Sequence, residues 1–196
     1  IDVCKLKTHG MMGMTNAVKN FFGIIPGTMK PEYHYKYPKA ADFADMLVDL
    51  CEYCKPRLCI CDAVVGMEGN GPTQGHPRKV GAILAADSAH KLDLAAASLL
   101  GLTAQDVPTL AAARRRGLIP DAVDQLSVSG DLSAHLVPDF VVPSMRPDTA
   151  FAGGGALGKL ANGAIAAILR PYQKLHRADC VGCRKCAQIC PAHAIT

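Results

Sequence analysis

The sequence predicts an α/β domain with a mostly parallel sheet and flanking helices, followed by a small cysteine-rich segment. Segments with the periodicity of strands and of helices alternate along the first 120 residues, which is typical of α/β sheets. The stretch "RLCICDAVV" is almost entirely apolar, as expected of a strand covered on both faces in a parallel sheet. Four of the nine cysteines follow residue 179.

The first elements are predicted from alternation and from turn residues. "IDVCKLK" alternates and predicts a strand with Lys5 and Lys7 on one face. A short helix is expected over residues 15–22 with Thr15 as its cap, and "GIIPG" ends it. The tyrosine-rich "PEYHYKYP" that follows is predicted to be a connection without regular structure.

The central elements form the core of the predicted sheet. Residues 40–54 place apolar side chains at helical spacing and acidic side chains on the opposite face, which predicts an amphipathic helix. "RLCICDAVV" is the next strand, with Asp62 near its carboxyl end, and "GMEGNGPTQGHPR" is predicted to be a long Gly-rich loop. "KVGAILAAD" is the third strand, and a helix is expected over residues 88–100.

The second half of the chain is predicted to connect the sheet to the cysteine-rich segment. "DVPTLAAARRRGL" predicts a helix that ends at Gly117, and "QLSVSG" and "DFVVP" are candidate strands. Gly153 to Gly155 predict a hinge, and the helix after it is expected to end at Pro171. The chain thus divides into an α/β domain at 1–152, a hinge and connecting helix at 153–176, and a cysteine-rich segment at 177–196.

Composition limits the function classes. The 196 residues are 49% hydrophobic and 19% charged, which is typical of a globular protein. A net charge of +4, spread along the chain, argues against nucleic acid as a partner. No apolar run reaches the roughly 18 residues of a membrane span, so no membrane partner is predicted. Nine cysteines, four of them at metal-ligand spacing, favour a reducing cytoplasm over a disulfide framework.

The cysteines near the carboxyl end carry the most specific motif. Cys180, Cys183, Cys186 and Cys190, the last followed by proline, match the bacterial ferredoxin spacing C-x₂-C-x₂-C-x₃-C-P. Short loops between the thiolates let consecutive side chains and backbone N–H groups converge on one inorganic core. Zinc usually takes two separated pairs of ligands, so the run predicts a ferredoxin-like 4Fe-4S segment with these four metal ligands.

The sequence does not decide which iron–sulfur cluster Cys190 ligates. In two-cluster ferredoxins the cysteine before proline ligates the other cluster, yet no second run is present. Cys190 either closes one cluster with the three preceding cysteines or serves a second cluster. Because the chain begins at Ile1 without an initiator methionine and carries one motif, we expect it to be a fragment.

Another set of cysteines invites a metal-site interpretation. Cys51 and Cys54 form a C-x₂-C pair that could join Cys59 and Cys61 in a metal site. The first pair lies on the apolar face of a predicted helix and the second alternates in a predicted buried strand. We interpret the four as small hydrophobic residues, because unpaired cysteine is among the most buried residue types.

Three segments resemble a known family. They are "KLKTHGMMGMTNAVKNFFGIIPG", "LVDL", and "DAVVGMEGNGPTQGHPRKVG" followed by "ILAADSAHKLDLAAASLLG". They are similar to the domain of unknown function 362 family, in which an α/β domain is often followed by a two-cluster 4Fe-4S ferredoxin module. The resemblance covers residues 1–120 strongly and the cysteine run more loosely. It implies a fold and a cluster, whereas the family's reaction is not established.

A candidate site is predicted where the strands end. Ligands of open α/β sheets bind beyond the carboxyl ends of the strands, which would gather polar side chains there, including Asp87. The predicted catalytic residues are His9, Glu68 and Asp62. The predicted substrate-binding residues, suited to a carboxylate or a phosphate, are Lys7, Lys19, Asn20 and Asn70. The alternative is that the lysines are solvated and that Asp87 or Ser88 only caps a helix.

Three functions remain open at this point. A 4Fe-4S cluster would pass single electrons to a redox partner protein. Alternatively, the α/β domain is a hydrolase or transferase that acts on a small anionic substrate, with a structural cluster. A third interpretation makes the α/β domain a docking module that presents the cluster to its redox partner.

Overall fold

The computed structural model describes residues 1–143 and 180–189 of the chain. The strands in these ranges are β1 (Asp2–His9), β2 (Gly13–Thr15), β3 (Cys59–Asn70) and β4 (Gln74–Ala86). The α-helices are α1 (Ala17–Asn20), α2 (Lys30–Lys36), α3 (Ala40–Cys54), α4 (Ala89–Leu99), α5 (Pro108–Arg115) and α6 (Lys185–Ile189). Single 3₁₀ turns lie at Phe21–Ile24, Gly27–Met29, Val123–Gln125 and Ser133–His135. The predicted hinge at 153–155, the helix before Pro171 and the predicted domain boundaries lie outside the described residues.

The four described strands form one mixed sheet in the order β2-β1-β3-β4. β1 and β3 are parallel, whereas β1 and β2, and β3 and β4, are antiparallel. The α/β class is confirmed, but the prediction of a mostly parallel sheet is wrong. Three residues, 71–73, separate β3 from β4, and a parallel neighbour would require a crossover of a dozen or more residues.

The Gly-rich stretch predicted as a loop is the distal half of this long hairpin. β3 continues to Asn70 and β4 begins at Gln74, and Glu68 pairs with His76. A Cβ atom at Gly71 would overlap the carbonyl oxygen of Thr8 in the neighbouring strand β1. Glycine therefore serves close packing of backbones here rather than the freedom of a loop.

The helices cover one face of the sheet. β1 alternates as predicted, with Cys4 and Leu6 buried and Val3 and Lys5 exposed. α1 contacts β1, α4 contacts β3 and β4, and α3 and α5 pack against each other as a second layer. On the uncovered face Val3 is 66% exposed and Ile83 is 70% exposed. The core therefore lies between one side of the sheet and the helices.

Helix α3 has the predicted bounds, and its polar face holds α5. Phe43 and Leu47 are fully buried, while Asp45 and Asp49 on the opposite face pair with arginines at the end of α5. Arg115 Nη2 lies 2.9 Å from Asp45 Oδ2, and Arg116 Nη1 lies 2.6 Å from an Asp49 carboxylate oxygen. Because these pairs are partly exposed, each contributes about 1 kcal/mol or less.

Other predicted elements differ from the structure. The tyrosine-rich stretch forms α2, and the helix expected over 15–22 begins at Ala17 because Thr15 belongs to β2. "QLSVSG" and "DFVVP", both within the described part of the chain, contain no strand. Residues 126–143 instead form irregular backbone with a 3₁₀ turn, and the Val141 carbonyl accepts a single hydrogen bond from the Gly69 N–H in β3 at 2.6 Å.

Helix α1 is capped by a residue from another helix. The buried carboxylate of Asp93 in α4 accepts hydrogen bonds from the backbone N–H groups of Ala17, at 2.8 Å, and Val18, at 3.2 Å. Burial raises the pKa of Asp93 to about 7, although both backbone bonds act in the opposite direction. By contrast, α4 has a local cap as predicted, since Ser88 Oγ accepts from the Lys91 N–H at 3.4 Å.

The substitution Asp93→Ala should lower the free energy of unfolding of the full chain by about 3 kcal/mol, because it leaves two buried N–H groups without an acceptor. Chemical denaturation followed by far-UV circular dichroism measures the loss. Asp87→Ala, at an exposed position, is the matched control and should stay within about 0.5 kcal/mol of wild type. Equal losses in the two variants would contradict the role of Asp93.

Candidate functional site

The first two motif cysteines lie on irregular backbone directly before α6. Cys180 and Cys183 are exposed. Gly182 and Arg184 adopt left-handed conformations with φ values of 67° and 57°, and these turn the chain sharply on either side of Cys183. The Gln188 N–H then donates to the Arg184 carbonyl at 3.1 Å as α6 begins. Cys186 lies within α6, and Cys190 lies outside the described residues.

This segment fits an iron–sulfur cluster. Both described thiols, Cys180 and Cys183, are free of disulfides, and soft thiolates are the ligands that such clusters take. Left-handed residues within a turn direct successive backbone N–H groups toward one side, which is how many iron–sulfur sites donate hydrogen bonds to sulfur. The donor set and the local backbone therefore both suit the cluster that the spacing predicts.

The other C-x₂-C pair does not assemble a metal site. Cys51, Cys59 and Cys61 are buried in the core, and burial raises the pKa of Cys59 to about 11. Within residues 1–143 and 180–189, no group of three or more His, Cys, Asp or Glu side chains is placed to hold a metal ion. The structure agrees with the interpretation of these cysteines as small hydrophobic residues.

Three of the predicted site residues lie in one cleft beside β1. The cleft has a volume of about 420 Å³ and is lined by Lys7, Asn20 and Asp62 among others. Asp62 forms an ion pair with Lys5 at 2.7 Å, and this hydrogen bond is the main reason that its pKa is lowered. Asn20 Nδ2 donates to Asp2 Oδ1 at 2.6 Å. Asn20 and Asp62 therefore already have partners within the protein.

The two predicted catalytic acids are far apart. Asp62 lies in the first half of β3 rather than at its end, because the strand continues to Asn70. Glu68 is six residues further along the same strand, or about 20 Å away. Glu68 accepts from the Val141 N–H at 3.1 Å and lies 3.8 Å from Arg78. The two carboxylates therefore cannot act on the same reacting atom.

The remaining predicted residues of the hairpin lie at its two ends. Asn70 Nδ2 reaches Gln74 Oε1 across the turn at 3.4 Å. Asp87 follows β4, whose last residue Ala86 pairs with Cys59 at the start of β3. β4 is antiparallel to β3, so Asp87 lies beside the start of β3. β1 is parallel to β3, so His9 lies toward the other end of the strands. The two residues therefore do not converge, contrary to the expectation.

His9, at the end of β1, has a defined tautomer. Its Nδ1 atom accepts hydrogen bonds from the backbone N–H groups of Met11, at 3.1 Å, and Met12, at 3.2 Å. The proton of the neutral ring is therefore on Nε2. The pKa of His9 is lowered to about 3, mainly by burial and in smaller part by the nearby charges of Lys19 and His34. His9 is thus a neutral hydrogen-bond donor at physiological pH.

Lys19 belongs to a group that we call the basic cluster, which comprises His9, Lys19, Lys30 and His34. The Nζ atoms of Lys19 and Lys30 lie 5.4 Å and 5.9 Å from the centre of the Phe22 ring. The His34 ring meets Phe22 edge to face at 5.6 Å and stacks on Phe43 at 4.4 Å. Phe22 thus brings Lys19, Lys30 and His34 together, and His9 joins them as a neighbour whose pKa Lys19 and His34 lower.

Sequence reasoning missed Lys30 and His34 because it treated their segment as a connection. That segment is α2, which has proline in its first turn. Proline at the first positions of a helix, followed by Tyr33 and Tyr37 at a spacing of four residues, is a signal that could have predicted it. The two tyrosine rings contact each other at 6.3 Å.

The fold and the cysteine segment define an iron–sulfur protein with an α/β domain. A model of the family described as "Domain of unknown function (DUF362)" matches residues 1–98, half of the chain, and one described as "4Fe-4S binding domain" matches residues 174–196. The chain belongs to the DUF362 family. The second match confirms the 4Fe-4S cluster as the cofactor that the cysteine spacing predicts.

One curated relative is similar over much of the α/β domain. The thylakoid-associated protein sll1697 of Synechocystis sp. is 41% identical over 125 residues, which cover 63% of this chain. The chain spans 39% of the length of that relative. No solved structure matches the chain.

The structure can be compared with the membrane prediction, and the name of the relative with the predicted location. No helix in the described ranges is both long and apolar enough to cross a membrane. The relative is named for its association with thylakoids, so the cytoplasmic location stays a prediction. The predicted division into three parts, the absence of a nucleic-acid partner and the roles of the individual site residues also stay predictions.

The pKa of His9 predicts how its contribution to stability changes with pH. The unfolded chain titrates His9 near pH 6.5 and the folded chain near 3, so between these values the unfolded state binds the additional proton. The contribution of His9 is therefore complete above pH 6.5 and declines as the pH falls toward 3. The free energy of unfolding of wild type, minus that of His9→Gln, should shrink from pH 7.5 to pH 4.5. A difference independent of pH would contradict the burial of a neutral ring.

Proposed function

We propose that this protein transfers single electrons through its 4Fe-4S cluster. The observation that carries the proposal is the cysteine run at 180–190, which has ferredoxin spacing and lies within the match to the 4Fe-4S binding domain. When bound, such a cluster exchanges one electron at a potential set by burial, charge and hydrogen bonds to sulfur. Cys180 and Cys183 are exposed, so a partner can approach this part of the segment.

The charges next to the motif support a protein partner. Arg184 and Lys185 follow Cys183 directly, and both side chains are exposed. Fixed positive charges around a docking point raise the rate at which a negatively charged partner associates. A redox partner with an acidic docking surface therefore fits this segment. The chain spans less than half of its relative, so the reaction of the whole protein belongs to the same proposal.

The full chain, purified and reconstituted without oxygen, should bind about four irons and four sulfides per motif. Dithionite should reduce the cluster to a paramagnetic state, and oxidised cytochrome c should then take up about one electron per cluster. Cys183→Ser should lose most of the iron because it removes one ligand from an exposed position, where folding of the α/β domain is unaffected. Iron and sulfide counts, electron paramagnetic resonance and absorbance of cytochrome c give the three readouts.

Cys54→Ser is the matched control, because Cys54 is a half-buried thiol in α3 outside the motif. It should retain the iron content and the electron transfer of wild type. A colourless product that binds only zinc would overturn cluster binding. An intact cluster that neither dithionite nor cytochrome c affects would instead indicate a structural cluster, in line with a hydrolase or transferase role for the α/β domain.

A further inference from the structure

The basic cluster unites residues from three elements at one end of the α/β domain. His9 ends β1, Lys19 lies in α1, and Lys30 and His34 lie in α2. All four side chains are half-buried. Residues from separate elements thus place the ammonium groups of Lys19 and Lys30 and the ring of His34 around Phe22. His9 lies near enough to Lys19 and His34 for both to lower its pKa.

Within residues 1–143, no carboxylate neutralises these ammonium groups. Ion pairs in this part of the chain involve Lys5, the arginines of β4 and α5, and His90, but neither Lys19 nor Lys30. Glu32, the acidic residue of α2, is exposed and forms no ion pair with them. The cluster therefore carries positive charge without a counter-charge from the described protein.

The cations of the cluster act on one another. The pKa of Lys19 is lowered to about 8, mainly by burial and in smaller part by the charge of Lys30. The pKa of His34 is lowered by burial and by Lys19. The contact of each ammonium group with the Phe22 ring offsets part of the desolvation. The remaining repulsion between the cations is what a bound anion would relieve.

The donors present favour an oxyanion with several acceptor atoms. The Nε2–H group of His9 is available as a donor because Nδ1 is already engaged by backbone N–H groups. Lys19 and Lys30 supply three N–H donors each and together can balance two negative charges. Phosphate is a dianion with several acceptor oxygens, and lysine is a common partner of phosphate in proteins.

We propose that His9, Lys19, Lys30 and His34 form a binding site for a phosphate group, either inorganic phosphate or the phosphate of a small ester. This inference goes beyond electron transfer and does not depend on the iron–sulfur cluster. It shares Lys19 with the anion site predicted from sequence at Lys7, Lys19, Asn20 and Asn70.

Titration of the full chain with inorganic phosphate, and separately with glycerol phosphate, tests the proposal. In ¹H–¹⁵N spectra of the imidazole rings, the His9 and His34 signals should move, and the pKa of both should rise because the bound anion stabilises their protonated forms. Lys19→Gln and Lys30→Gln should each weaken phosphate binding about tenfold in calorimetry. Tighter binding of glycerol phosphate than of phosphate would identify an ester as the ligand, and the reverse would identify inorganic phosphate.

Lys36→Gln is the matched control, since Lys36 lies in the same helix but its Nζ is placed over Tyr37 at 5.5 Å rather than over Phe22. It should bind phosphate like wild type, and circular dichroism should show that all three variants fold. The proposal is overturned if neither compound moves the histidine signals, or if Lys36→Gln weakens binding as much as Lys19→Gln. Loss of thermal stability in Lys19→Gln and Lys30→Gln, with no binding to wild type, would instead assign both lysines to packing against Phe22.

Discussion

The carboxylate of Asp93 determines where α1 lies. α1 has four residues, too few to be stable alone, and its Asn16 cap makes no side-chain hydrogen bond to the helix. Asp93 supplies the missing acceptors from α4, across 75 residues of chain. Because α1 carries Lys19 and Asn20, the same interaction positions the residues around the end of β1. The position of Lys19 thus depends on the hydrogen bonds between Asp93 and the start of α1.

The sheet shows where local sequence patterns suffice and where they fail. β1 and α3 could be predicted from periodicity because each buries one face against the same core along its whole length. The part of β3 after Gly66 and the turn that follows it could not be predicted, because their glycines permit close backbone approach, as at Gly71 of the turn against Thr8. Because glycine is common in loops, the sequence predicts a long loop at this place. The prediction therefore missed the short turn that makes β4 antiparallel to β3.

The two candidate sites also differ in how far local sequence patterns predict them. The four cysteines of the cluster motif lie within eleven residues, so spacing alone predicts their common function. The basic cluster joins residues from 9 to 34 that belong to a strand and two helices, and only folding brings Lys19, Lys30 and His34 to Phe22. His9 and Lys19 could be predicted as site residues from their place after the first strand. Lys30 and His34 could not be predicted while α2 was treated as irregular.

The two buried acids near α1 bond to its backbone and to Asn20 rather than to Lys19. Two carboxylates, those of Asp2 and Asp93, are buried in the part of the core that contains α1. Asp93 is engaged by the backbone of α1, and Asp2 accepts from the Asn20 side chain. Burial raises the pKa of both, so each tends toward the neutral form at lower pH. These acids hold the helix that carries Lys19, and within residues 1–143 no carboxylate forms an ion pair with Lys19, so the proposed phosphate would supply its counter-charge.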